Sequence, residues 1–126
     1  MTQARIMIID DEKIVGDMAK MSLEADGYVV ETFLNAGPAL ERLREQRFDV
    51  VVTDYKMKGI DGMEVLKTVR DLYPATQVIM ITAFANLDAA IEALRRDVHD
   101  FFPKPVKIKQ LKASIERALQ KHAQGT

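Results

Sequence analysis

At 126 residues, 48% hydrophobic and 29% charged, the chain has the length and composition of one soluble globular domain, not of a disordered segment. A formal net charge of −1 gives no reason to expect nucleic acid or an anionic membrane as partner, and the absence of cysteine excludes disulfides, thiolate chemistry and Cys-ligated zinc. No apolar run approaches the ~18 residues of a membrane span and no signal segment precedes the first strand, so a cytoplasmic location is expected.

Ile6-Met7-Ile8-Ile9 reads as a short buried strand, followed directly by Asp10-Asp11-Glu12. From Lys13 to Asp26, Ile14, Val15, Met18, Met21, Leu23 and Ala25 suit the inward face of a first helix, closed by Gly27 as a left-handed cap. Residues 28–33 have strand composition. Asn35 is placed to cap a second helix with Pro38 in its first turn, Leu40 and Leu43 inward, and Arg42, Arg44 and Arg47 at its negative end. Val50-Val51-Val52-Thr53 is a β-branched run suited to a strand buried on both faces, and it ends in Asp54.

Lys58-Gly59-Ile60-Asp61-Gly62 carries turn chemistry, and Met63, Val65, Leu66, Val69 and Leu72 mark a third helix. Val78-Ile79-Met80-Ile81 forms a fourth strand ending in Thr82. Asn86 or Asp88 would cap a fourth helix carrying Ala89, Ile91, Ala93 and Leu94. Residues 98–102 give a fifth strand, stopped by Pro103-Lys104-Pro105. Ile108, Leu111, Ile115, Ala118 and Leu119 stripe a fifth helix, and the polar tail 120–126 is expected to fray. The methionines are read as core filler, and His99 and His122 as structural or solvated residues. Five strand–helix alternations with short connections predict an α/β fold, a doubly wound parallel sheet in one domain spanning 1–126.

In a parallel sheet every strand C-terminus lies on one edge. Asp10 and Asp11, Asp54, Thr82 and Lys104 follow strands one, three, four and five, so that edge gathers all of them. The second strand contributes nothing reactive and should lie away from the site. Two carboxylates ~5 Å apart repel by roughly 3 kcal/mol at an effective dielectric of ~20. A hard divalent cation relieves the repulsion, and few carboxylates with open water positions suit Mg²⁺, or Mn²⁺. Lys104 and the Thr82 hydroxyl suit phosphate oxygens. Together they describe a phosphoryl-transfer site with Asp54 as nucleophile, forming an aspartyl phosphate, and Asp10 and Asp11 as metal ligands.

Asp10-Asp11, Asp54, Thr82 and Lys104-Pro105 resemble, in order, spacing and strand-end placement, the response-regulator receiver domain of two-component signalling. The resemblance implies a flavodoxin-like sheet of order 2-1-3-4-5 with five helices, and Mg²⁺-dependent phosphorylation of Asp54 by a sensor histidine kinase or phosphotransfer protein. It further implies metal ligation by Asp11, Asp54 and the Lys56 backbone carbonyl, with Asp10 acting through water. Thr82 and Phe101 would be switch residues, coupling phosphorylation to the face built from the fourth helix, fifth strand and fifth helix. Lys56 and Phe84 would border the phosphoryl group. A bulky phenylalanine there, with no carboxylate or amide at either position, suggests a long-lived adduct.

Three positions depart from the family pattern. Lys58 stands where Pro is usual, which implies a looser loop with an added cation. Asp97-Val98 replaces Gly-Ala, and Phe101 replaces the commoner Tyr, leaving its rotamer to packing alone. Lys107, Lys109, Lys112 and Arg117, with Arg95 and Arg96, read first as a solvated basic face and second as a surface for an acidic partner. The implied partners are the kinase, a downstream protein target or effector domain, and a second copy after phosphorylation. Direct nucleic-acid and membrane contacts are not expected. The stretch 100–105 resembles receivers of activators that carry an ATPase domain, so the chain is either a stand-alone receiver or the first domain of a longer regulator.

The alternative is a small Mg²⁺-dependent aspartyl-phosphate hydrolase. Such enzymes place the nucleophile after strand one with a second Asp two residues on, where this chain has Glu12. A flavodoxin-like electron carrier wants a Ser/Thr/Gly-rich phosphate loop where Asp10-Asp11-Glu12 stands.

Overall fold

The computed structural model describes residues 3–57, 59, 61–83, 88, 92 and 98–125. Its strands are β1 (Arg5–Ile9), β2 (Val29–Phe33), β3 (Val50–Asp54), β4 (Gln77–Thr82) and β5 (Asp100–Pro103). All pair in parallel in one sheet of order β2-β1-β3-β4-β5. The described helices are α1 (Lys13–Ala25), α2 (Ala36–Glu45), α3 (Gly62–Leu72) and α4 (Ile108–Gly125), the last being the fifth of those expected from the sequence. Of the expected fourth helix, Asp88 and Glu92 are helical, while the alternative cap Asn86 and the stripe Ala89, Ile91, Ala93 and Leu94 lie outside the described residues.

The β-branched run of β3 behaves as its composition dictates. Val50, Val51 and Val52 are fully buried because helices cover both faces of the central strand. Side-chain alternation divides the core in two. Met7, Ile9, Val51, Val78 and Met80 face Leu40 and Leu43 of α2 and Val65, Leu66 and Val69 of α3. Ile6, Ile8, Val50, Val52, Ile79 and Ile81 face Ala19 and Leu23 of α1 and Leu111, Ile115 and Ala118 of α4. Among the described residues no helix is long and apolar enough to cross a membrane.

The inward face of α1 differs from the expected one. Ile14, Met18 and Met21 are exposed, while Gly16, Ala19 and Leu23 are buried. The sheet approaches α1 closely along Gly16, where an added Cβ would lie 3.5 Å from Thr32 Cβ, so small residues occupy the seam and the larger ones turn outward. Two of the seven methionines, Met18 and Met21, are therefore surface residues, whereas Met7 and Met80 are core. Asn35 sits at the expected cap of α2 without a side-chain capping bond, and Arg47 lies beyond that helix's end. Gly27 adopts φ 93° and its N–H donates to the Glu24 carbonyl, as a left-handed terminator should.

Candidate functional site

The strand order sets the site. From β1 the chain runs outward to β2 and then returns past β1 to β3, so the crevice between the C-terminal ends of β1 and β3 is the topological switch point. Asp10 follows β1 there and Asp54 ends β3. Asp10 continues the parity of Ile6 and Ile8, and Asp54 that of Val50 and Val52, so alternation puts both on the α1/α4 side of the sheet. Strand β2 lies at the outer edge and supplies no side chain to the cluster, as expected.

Lys104, one residue past β5, reaches across to both. Its ammonium donates to Asp54 Oδ2 at 2.9 Å, to Asp10 Oδ1 at 3.1 Å and to Glu12 Oε1 at 2.7 Å. Its backbone N–H donates to the Thr82 carbonyl at 2.8 Å, which fixes the root of the side chain against β4. The peptide between Lys104 and Pro105 is cis. Asp10 and Asp54 are 2% and 4% exposed, so their charges are withdrawn from water and rely on these partners. The Glu12 N–H donates to Asp10 Oδ1 and the Lys56 N–H to Asp54 Oδ1.

Burial pushes the Asp54 carboxyl above the usual carboxylate range. The Lys104 hydrogen bond and charge and the Lys56 N–H oppose this, and the nearby Asp10 charge adds to it. For Lys104 burial disfavours the charged form, but hydrogen bonds to Asp54, Glu12 and Asp10 together outweigh it and raise the ammonium pKa. A carboxylate whose pKa is raised by folding favours the folded state below its unfolded value, near 4, and loses that contribution as pH rises through the folded value. Asp54→Asn should therefore stabilise the protein in chelator at pH 7, and progressively less toward pH 4. Denaturant unfolding at the two pH values checks this; destabilisation at pH 7 would contradict it. Asp11 is exposed, so its share of the repulsion is screened and Asp11→Ala should change stability less.

The carboxylates of Asp10, Asp11 and Asp54 each place an oxygen within 4.8 Å of the others. Asp10 Oδ2 is buried, lies 2.9 Å from Lys104 Nζ, and has no hydrogen-bond partner among the described groups. A buried oxygen lacking a proton to accept, beside two further carboxylates, is the donor set a hard cation wants.

The remaining expected site residues fall as follows. Thr82 is fully buried at the end of β4, one residue past Ile81, the register partner of Asp54. Phe101 pairs in register with Met80 and packs on the α2/α3 side of the sheet, its ring 6.3 Å from that of Tyr55. Lys56 extends its ammonium over the Tyr55 ring, 5.9 Å from the centroid. Phe84 lies outside the described residues.

Three contributors were not anticipated. Glu12 is the nearest of the three acceptors to Lys104 Nζ; its adjacency to Asp10-Asp11 was the available signal. Tyr55 puts its ring against Phe101, a contact between the loop after β3 and strand β5 that local sequence does not encode. Gly62 lies so close to β3 that an added Cβ would stand 2.6 Å from the Asp54 carbonyl oxygen and 2.9 Å from Tyr55 Cα. A glycine opening α3 just after the Asp61 cap, instead of a better helix former, was the sequence trace of that approach.

The family model for the response regulator receiver domain matches residues 6–116. Among curated proteins, the DNA-binding transcriptional regulator NtrC of Escherichia coli (strain K12) is 33% identical over 119 residues, covering 94% of this chain and 25% of that protein. The chain thus spans about a quarter of the length of such relatives. Among solved structures, a CheY-like receiver domain protein from Methanospirillum hungatei JF-1 superposes with a TM-score of 0.94 at 29% identity, covering 99% of this chain and 100% of that one. The beryllofluoride-activated NtrC4 receiver domain dimer gives 0.89 at 26% identity, covering 94% and 98%. With the family match running from β1 into α4 over a shared sheet, this chain belongs to the response regulator receiver domain family.

Proposed function

We propose that Asp54 is the phosphoacceptor of a Mg²⁺-dependent signalling switch. The observation that supports this most is the convergence of Lys104 on both Asp10 and Asp54, at 2.9–3.1 Å, from three separate strand ends. An Asp54 oxygen would attack the phosphorus of a phosphohistidine on a sensor kinase or phosphotransfer protein. A P–O bond forms, the P–N bond breaks, and the imidazole leaves with its electron pair and takes up a proton. Asp11 and Asp54, with the Lys56 carbonyl and Asp10 through water, would hold Mg²⁺, or Mn²⁺, whose role is to neutralise charge on the phosphoryl oxygens. Lys104 would pair with one phosphoryl oxygen and Thr82 would donate to another. The chain would act as an acceptor that assists its own transfer, not as an enzyme turning over a separate substrate, within one domain spanning 1–126 in the cytoplasm.

Downstream, Thr82 and Phe101 would relay the change to the surface around β5 and α4, with the fourth predicted helix completing it. That surface would meet a protein target, an effector domain or a second copy. Self-association draws support from a relative whose beryllofluoride-activated receiver is a dimer. Lys56 and Phe84 would shield the adduct and lengthen its life.

Incubation with a small phosphodonor and Mg²⁺ tests the switch. One phosphoryl group per chain is expected, and its formation should stop when the cation is chelated. Sustained turnover of diverse phosphomonoesters would instead mark a hydrolase.

A further inference from the structure

An ammonium carries three protons, and those of Lys104 are taken by Asp54, Asp10 and Glu12. Two of these acceptors belong to the carboxylate triad; Glu12 does not. A cation that takes an oxygen of Asp54, and engages Asp10 through water, draws on carboxylates the ammonium also uses and repels it. Lys104 then needs somewhere to stay within reach of the acceptor.

Glu12 is built for that place. It occupies the N-cap position of α1 with extended backbone, φ −90° and ψ 103°, yet its side chain makes no capping bond. Glutamate is not among the favoured caps, and the helix forgoes a capping interaction there. The carboxylate turns instead to Lys104, at the shortest of the three distances, while its own N–H holds Asp10 Oδ1 at 2.8 Å. With its side chain 56% exposed, it can follow the ammonium outward as Asp10, 2% exposed, cannot.

We infer that Glu12 is a positioning residue for Lys104: it shares the ammonium with Asp10 and Asp54 in the metal-free site and becomes its main anchor once a cation is held there. The inference rests on the reading of Asp10, Asp11 and Asp54 as cation ligands. The Glu12–Lys104 contact is then worth more in the cation-bound state than in the free one, so its loss weakens cation binding. This separates contact from charge. Glu12→Asp keeps the charge but is one methylene short; Glu12→Gln loses the charge but keeps an acceptor at the same reach.

Calorimetric titration of the purified protein with Mg²⁺ decides it. Glu12→Asp should raise the Mg²⁺ dissociation constant roughly three- to tenfold, and the same substitution in a Lys104→Met background should leave it unchanged, as a double-mutant cycle requires of a direct contact. Should Lys104→Met not fold without metal, the single comparison of Glu12→Asp with the unmodified protein decides alone. Unmodified affinity in Glu12→Asp would overturn the inference and leave Glu12 a through-space charge, and an equal loss in both backgrounds would overturn it by showing an effect that does not pass through Lys104. A protein that binds no Mg²⁺ at all would overturn the cation reading as well, so the two failures are distinguishable.

Discussion

Lys104→Met is expected to destabilise the metal-free protein by ~3–5 kcal/mol, the range for removing one partner of a buried ion pair. The substitution keeps most of the aliphatic stem, so lost packing contributes little. What is lost is the ammonium that Asp10 and Asp54 share, both carboxylates being almost fully withdrawn from water. Two carboxylates would be left facing each other with only the Glu12 and Lys56 N–H groups as donors among the described contacts. The penalty should shrink as pH falls and protons take over the ammonium's role. It should also shrink when Mg²⁺ is added, because a divalent cation answers the same charge. Thermal melts in chelator and in excess Mg²⁺ measure both effects. A variant as stable as the unmodified protein in chelator would mean that the three strand ends are not electrostatically coupled.

Gly62→Ala is the second large effect. The loop after β3 doubles back so that the Gly62 N–H donates to the Tyr55 carbonyl at 2.9 Å, and α3 starts there. An alanine Cβ would meet the Asp54 carbonyl oxygen at 2.6 Å, inside any van der Waals contact, and both neighbours are backbone atoms that cannot rotate away. Either α3 shifts outward or the end of β3 moves. Overpacking of this kind costs ~1–3 kcal/mol or more. Because the displaced atoms include the backbone of Asp54, metal affinity should fall together with the denaturation midpoint. An alanine variant matching the unmodified protein in both would contradict the close approach.

Much of the site was legible because its logic is topological. Parallel strands bring all their C-termini to one edge, so Asp10, Asp54, Thr82 and Lys104 could be grouped without any distance. The β-branched run of β3 foretold a strand buried on both faces, and the unreactive β2 foretold a strand lying away from the site. The inward face of α1 was legible only in part: Val15 and Leu23 pack on the core as expected, but Ile14, Met18 and Met21 share the period of a core stripe and are exposed, while Gly16 and Ala19 take the buried positions beside the sheet. Apolar spacing identifies a helix but does not say how closely the sheet approaches it. Glu12 and Gly62 were missed for a related reason: each acts through a contact with a residue brought near by folding.

Asp54 alone is expected to receive the phosphoryl group. Intact mass spectrometry after incubation with a small phosphodonor and Mg²⁺ tests it, comparing the unmodified protein with Asp54→Asn. The unmodified chain should gain the mass of one phosphoryl group and Asp54→Asn should gain none, while remaining folded and at least as stable. A full adduct on Asp54→Asn would place the acceptor elsewhere and contradict the account.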